Sequence, residues 1–228
     1  MNDQINYLYG QLSHAQVLGY ITGSERLRLA KMAVWRSIKR GRVICFQGEE
    51  YRFVLFITRG ALRSVINTPD GREHIGSTWN IGDEFWGHTL LDGEPMPSTL
   101  KVVQDAVVYQ WPGELLMDLL LKNNQATRAL VRRQSQLVRK QRESIYNLAF
   151  NPVASRLAKL ILEKLINTEG NTVQRDLTLE EMAAMIATSP EVICRIMYQF
   201  QTEGFLKIDR ASITIHDCTS LEKLILKD

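Results

Sequence analysis

Glu191 and Arg195 stand four residues apart, a spacing that puts a carboxylate acceptor and a guanidinium donor on one helix face. The stretch around them, Thr178 to Phe205, carries its own start and stop signals. Thr178 and Glu181 have the spacing of a capping box, which satisfies the N–H groups that a helix start leaves orphaned. Leu179, Met182, Ala183 and Ile186 then recur on one stripe. Ser189 followed by Pro190 starts a second helix after the elbow Ala187-Thr188-Ser189, and Gly204 ends it. Ile193, Ile196, Met197 and Phe200 form its apolar stripe, leaving Glu191, Cys194, Arg195 and Tyr198 outward. Two short helices, a tight elbow and an exposed Glu/Arg face suggest a helix-turn-helix that reads DNA.

The rest of the chain must position that face. With 228 residues there is room for two modest domains, each with a core. No run of eighteen apolar residues exists, so no membrane partner is expected. The first residues lack the basic start and apolar stretch of a secretion signal, which predicts a cytoplasmic protein. Cys45, Cys194 and Cys218 are far apart and odd in number, arguing against a disulfide framework, a zinc ribbon or an iron–sulfur cluster. His14, His74, His88 and His216 form no constellation, and neither a nucleophile triad nor a phosphate loop appears, so no catalytic residue is assigned and no enzyme is expected.

Charge is unevenly placed. Lys and Arg against Asp and Glu number 13 and 13 over residues 1–122, 6 and 1 over 123–150, and 9 and 11 over 151–228. The segment proposed to read DNA is net acidic, so bulk attraction to phosphates cannot carry the reading.

Residues 13–33 look like an amphipathic helical run. From Val34 the pattern changes to short alternating runs punctuated by Gly41, Gly48, Gly60, Gly71 and Gly82, the mark of antiparallel strands. A turn is expected at Asn67–Gly71, and Thr99–Trp111 reads as two strands around Gln104-Asp105. The expected product is a small β-roll. Helical spacing returns at Pro112–Leu121, and a long helix without Gly or Pro covers about 123–150. Its columns Leu130/Leu137/Ser144 and Val131/Val138/Ile145 repeat at seven residues, which predicts a dimer helix. Asn151-Pro152 breaks it, giving domains 1–150 and 151–228. Another helix follows at Val153–Ile166, and after Gly204 the runs FLKI and ITIH around Asp209–Ser212 form a hairpin, a wing. The fold class is α+β: an N-terminal antiparallel β-roll, a long dimerisation helix and a C-terminal winged helix-turn-helix.

In this order of parts the chain resembles the CRP/FNR family of bacterial transcription regulators, most specifically in IGDEFWG (Ile81–Gly87) and TSPEVICRI (Thr188–Ile196). The resemblance implies a homodimer on palindromic double-stranded DNA, an effector between roll and long helix, and RNA polymerase as a partner if the protein activates. Glu191 and Arg195 match the family's base-reading pair. Arg can bond guanine O6 and N7, a carboxylate can accept from a cytosine amino group, and Glu191 can also hold the Arg195 guanidinium. Cys194 takes a position that is usually serine in the FNR-like branch. Thr188, Ser189, Lys207 and Arg210 are the expected phosphate contacts.

For the effector the resemblance points to Trp79, Trp86, Gly87, His88, Ser98 and Thr99. Cyclic-nucleotide members carry a glutamate after the Phe-Gly pair and an Arg-Ser pair. This chain has Trp86-Gly87-His88 and Pro97-Ser98-Thr99 instead, so cAMP is not expected. No cysteine precedes Cys45, which removes the FNR-type cluster. His88 lies close to the iron-ligating histidine of the family's haem-dependent carbon monoxide sensors, making haem the metal-site alternative. Those sensors carry cysteine where this chain has Trp86. An uncharged or weakly acidic organic effector is the leading expectation. A ligand-binding regulatory module without DNA binding is the other alternative, and the wing speaks against it.

Overall fold

The computed structural model describes residues 3–67, 73–166, 168 and 170–225, and the described chain divides into two compact units, 1–139 and 140–228. The turn expected at Asn67–Gly71 lies largely outside the described residues. The first unit opens with α1 (Asp3–Ser13), a 3-10 turn at Leu18–Tyr20 and α2 (Gly23–Met32). Residues 13–33 are therefore not one helical run. Thr22 ends the connection, its hydroxyl accepting from the Glu25 amide while the Glu25 carboxylate accepts from the Thr22 amide.

The strands follow: β1 (Val34–Ile38), β2 (Val43–Cys45), β3 (Phe53–Asn67), β4 (Glu73–Trp79) and β5 (Glu84–Trp86), then α3 (His88–Asp92) and β6 (Thr99–Pro112). All pair antiparallel in the order β1-β6-β3-β4, with β2 on β6 and β5 on β3. The polar pair Gln104-Asp105 does not split β6 into two strands as expected. It marks a bend where β3 and β6 shift register against each other. Gly60 makes the bend possible: its φ is +77°, and a Cβ there would sit 2.4 Å from the Asp105 carbonyl oxygen. The Asp105 carboxylate is occupied outside the ladder, accepting from the Arg40 amide and from Lys39 Nζ.

Alternation sends successive residues of these strands to two cores. Leu55, Ile57, Leu62, Trp79, Phe85 and Val108 fill the roll interior. Val54, Phe56, Trp86 and Trp111 face α1, α2, α4 (Gly113–Leu121) and the start of α5 (Asn124–Phe150). The Trp111 indole donates to the Leu29 carbonyl, 2.9 Å, locking α2 to the sheet.

In the second unit α6 (Val153–Ile166), β7 (Thr172–Gln174), α7 (Leu179–Ile186), α8 (Pro190–Thr202), β8 (Leu206–Ile208), β9 (Ser212–Ile215) and α9 (Cys218–Ile225) enclose a core. Leu157, Ile161, Met182, Ile193, Phe200 and Leu221 are at its centre. The expected hairpin is two strands of a three-stranded sheet, β7-β9-β8, and α9 adds a helix the periodicity left unread. The compact units part within α5, so its last turns go with the second unit. There Lys159 of α6 pairs with Glu143 at 2.5 Å.

Candidate nucleic-acid interface and effector region

The helix-turn-helix is held by the signals that define it. Thr178 accepts from the Glu181 amide and Glu181 from the Thr178 amide, closing the capping box of α7. Ala187 turns the chain with φ +50°, the one non-glycine residue with positive φ among those described. Arg156 of α6 supports the elbow by donating to the Ile186 carbonyl, so an orphaned α7 terminus finds a partner. The Ser189 hydroxyl accepts from the Val192 amide at 3.5 Å and caps α8, with Pro190 in its first turn.

From that start α8 buries Ile193, Ile196, Met197 and Phe200 and leaves Glu191, Cys194, Arg195 and Tyr198 exposed. These four, with Leu179 and Pro190, line one open groove of about 520 Å3. Sequence reasoning did not count Leu179 or Tyr198 among the site residues. Tyr198 lies one turn beyond Cys194 and Arg195, so helical spacing was the signal that could have found it. Glu191 does not grip Arg195: no ion pair joins them among the described residues. The Ser189 hydroxyl and the helix-start amide of Glu191 hold its carboxyl below the ordinary range. The guanidinium of Arg195 is left facing solvent.

Around the wing, Lys207 pairs with Asp209 at 3.1 Å, both exposed, and Arg210 is exposed at the turn. Thr188 sits half-buried in the elbow, its amide donating to the Ala183 carbonyl. The third strand brings in a cation that local sequence gave no reason to choose. The Arg175 amide donates to the Ala211 carbonyl at 2.9 Å, and its guanidinium reaches the Asp209 carbonyl at 3.5 Å. Arg175, Lys207 and Arg210 thus share the wing tip.

The residues expected to meet an effector divide between the two faces of the sheet. Trp79 is in the roll core, its ring edge-on to Phe85 at 5.1 Å. Trp86, next to Phe85 on a strand, points into the helical core, where its indole donates to Glu84 at 2.9 Å. Gly87 serves close packing: a Cβ there would meet the Tyr51 carbonyl oxygen at 2.1 Å. His88 begins α3 half-buried, 6.5 Å from Phe85, and its Nδ1 is buried with no hydrogen-bond partner among the described residues. Burial lowers the His88 pKa, which favours the neutral imidazole. Ser98 and Thr99 are buried at the start of β6, and the Thr99 hydroxyl accepts from the Gln47 amide.

These groups fit a cyclic nucleotide poorly. Where an acid and a cation would be needed they offer a neutral imidazole and an exposed proline followed by buried hydroxyls. Haem fits no better: beside His88, the Trp86 indole is committed to Glu84 and supplies no metal ligand. The cysteines add none, since Cys45 is buried in the roll, where burial and Glu49 push its thiol up to about 11.

Glu84 lies at the junction of roll and helices and is 1% exposed. Its carboxylate accepts from the Val17 and Leu18 amides and the Trp86 indole, each at 2.9 Å. Burial pushes its carboxyl above the ordinary range, and these three donors together with nearby Arg133 pull against that rise. Beside it Arg133 of α5 donates to Asp83 at 3.2 Å and to the Gln16 side chain at 2.6 Å. The 3-10 turn, the β5 corner and the long helix are thereby tied together.

A β-roll followed by a long helix and a winged helix-turn-helix defines a two-domain DNA-binding regulator. Residues 35–123 match the model of the cyclic nucleotide-binding domain, and residues 155–224 that of the Crp-like helix-turn-helix domain. The chain belongs to the CRP/FNR family of transcriptional regulators. It is similar to a CRP-like cAMP-activated global transcriptional regulator of Mycobacterium tuberculosis, 23% identical over 93% of this chain and 97% of that protein. The transcriptional activator protein FnrA of Stutzerimonas stutzeri is 25% identical over 82% of this chain and 78% of its own length. In fold the chain resembles a crystal structure of a regulator from Eubacterium rectale, with a TM-score of 0.77 and 19% identity over 93% of this chain and 99% of that one. The protein is a DNA-binding transcriptional regulator with an effector-binding domain, and no described helix is long and apolar enough to cross a membrane.

Proposed function

We propose that the protein acts in the cytoplasm as a homodimer that binds palindromic DNA under the control of a small organic effector other than cAMP. The observation that carries this reading is the outward face of α8, where Glu191 and Arg195 stand exposed on one capped helix while its opposite face is fully buried. Arg195 donates two hydrogen bonds to a guanine edge. Glu191 leaves Ser189 to accept from a cytosine amino group. The α8 start, Thr188, Ser189 and the wing-tip cations Arg175, Lys207 and Arg210 fix the register on the phosphates. Domains 1–150 and 151–228 divide the work between sensing and DNA binding.

Dimerisation is supported by α5, along which Val131, Val138 and Ile145 recur at seven residues and stay 61%, 58% and 65% exposed. A column that apolar and that periodic fits a second copy of the same helix. Val138→Asp puts a charge in the seam, and the expected result is a shift from dimer to monomer in sedimentation. A Val138→Asp chain that remained dimeric would remove α5 as the interface.

The effector follows from His88. A buried, neutral imidazole nitrogen without a partner takes a donor or acceptor on an uncharged or weakly acidic molecule better than the anionic cyclic phosphate of cAMP. Calorimetric titration with cAMP is expected to give no binding in the micromolar range. Micromolar affinity would overturn this assignment. An absorbance spectrum separates the haem alternative, since haem would give a Soret band.

A further inference from the structure

Between Glu191 and Arg195 the outward groove of α8 is not polar. Beside the two charged groups its lining is Pro190, Cys194 and Tyr198 of α8, the last 67% exposed, with Leu179 of α7. Tyr198 has no ring partner or side-chain hydrogen bond among the described residues. Its backbone carbonyl accepts from the Thr202 hydroxyl, so only the ring and phenol are turned outward. In the major groove one chemical group answers an apolar wall, the C5 methyl of thymine, and it lies beside the base edges that a guanidinium and a carboxylate read.

We infer that Pro190, Cys194 and the Tyr198 ring form a thymine-methyl site, which makes Cys194 and Tyr198 specificity-determining residues next to the Arg195 guanine contact. The inference rests on the base-reading role proposed for α8. A thiol at 194 gives the methyl a soft apolar neighbour. A cytosine at that step would present its amino group to the same wall without an acceptor, except where Glu191 reaches it.

The test replaces thymine by uracil, which removes the methyl and nothing else. The full-length protein is first used to select duplexes from a random pool, and each thymine of the recovered site is then changed to deoxyuridine. At one position per half-site, uracil is expected to weaken binding about fourfold, and about fifteenfold when both half-sites carry it. With Cys194→Ser or Tyr198→Ala the same DNA change is expected to cost less than about twofold, because the wall that held the methyl has changed. Both positions are exposed, and circular dichroism checks that the variants fold. A selected site indifferent to uracil, or a uracil penalty undiminished in both variants, would overturn the inference alone. A pool in which no sequence is enriched would instead overturn the base-reading proposal beneath it.

Discussion

Arg195→Ala is expected to erase the preference for the selected site over random duplex while the chain stays folded and dimeric. A good bidentate contact to guanine contributes about 1–3 kcal/mol of discrimination, so two copies on a palindrome put roughly 2–6 kcal/mol at stake. The loss should stand out here because residues 151–228 hold 9 basic against 11 acidic side chains. Little bulk attraction remains to mask it. The salt dependence separates the possible roles of Arg195. A base contact leaves the slope of affinity against salt almost unchanged. A phosphate contact lowers it by about one for each arginine lost. Since Arg195 is exposed and makes no ion pair among the described residues, its removal should leave stability within about 0.5 kcal/mol of the parent. Anisotropy titrations of parent and variant on specific and random DNA at several salt concentrations check each part.

Glu84→Ala is the second large effect, and it falls on the sensing unit. The substitution strands the Val17 and Leu18 amides and the Trp86 indole, three buried donors that all point at the lost carboxylate. At about 1–3 kcal/mol for each orphaned donor, partly relieved by entering water, the expected loss is about 3–5 kcal/mol. That is a large share of an ordinary domain's stability. All four tryptophans, Trp35, Trp79, Trp86 and Trp111, precede residue 112, so urea unfolding followed by tryptophan fluorescence reports this unit alone in the full chain. Glu84→Gln should cost less, because one oxygen survives to accept while the amide nitrogen faces a donor. An unchanged urea midpoint in Glu84→Ala would show that the 3-10 turn is not held through this carboxylate. A loss of DNA binding by Glu84→Ala under conditions where it remains folded would connect the same tie to α5 through Arg133.

What could be read directly from the residues was local. The start of α7 at Thr178, the Ser189-Pro190 start of α8 and the stop at Gly204 each depend on side chains within four residues of the backbone they cap. The same logic could have found α2. Thr22 and Glu25 form a capping box with the spacing of Thr178 and Glu181, but the helix behind it is mostly polar and its apolar stripe is faint. Pairing across distance was out of reach. Strand β7 exists because Val173 lies opposite Ile213 in the ladder, forty residues later, and only that pairing brings Arg175 to the wing. The polar step at Gln104-Asp105 resembled a turn because polarity marks both turns and exposed bends. The partner backbone at Gly60 decides between them, and it is remote in sequence.

The effector region taught a different lesson. Phe85 and Trp86 are neighbours on a three-residue strand and alternate to opposite faces, so Trp86 cannot join the pocket in which Trp79 packs edge-on to Phe85. The structure puts them in separate cores and leaves His88 as the polar group near Phe85 with an unused buried nitrogen. Glu84 drew no attention in the sequence, since an acid in a Gly-Asp-Glu corner looks like surface. Its burial depends on α1 and the 3-10 turn folding back over it, an arrangement that no short window contains.

Base reading by α8 of a homodimer is tested by selecting bound duplexes from a random pool with the full-length protein. The expected result is one enriched palindrome whose half-sites are centred about one helical turn, roughly 10–10.5 base pairs, apart, each with a guanine that Arg195→Ala no longer distinguishes. Recovery of random sequence, or of an enriched site that Arg195→Ala binds with undiminished preference, would contradict it.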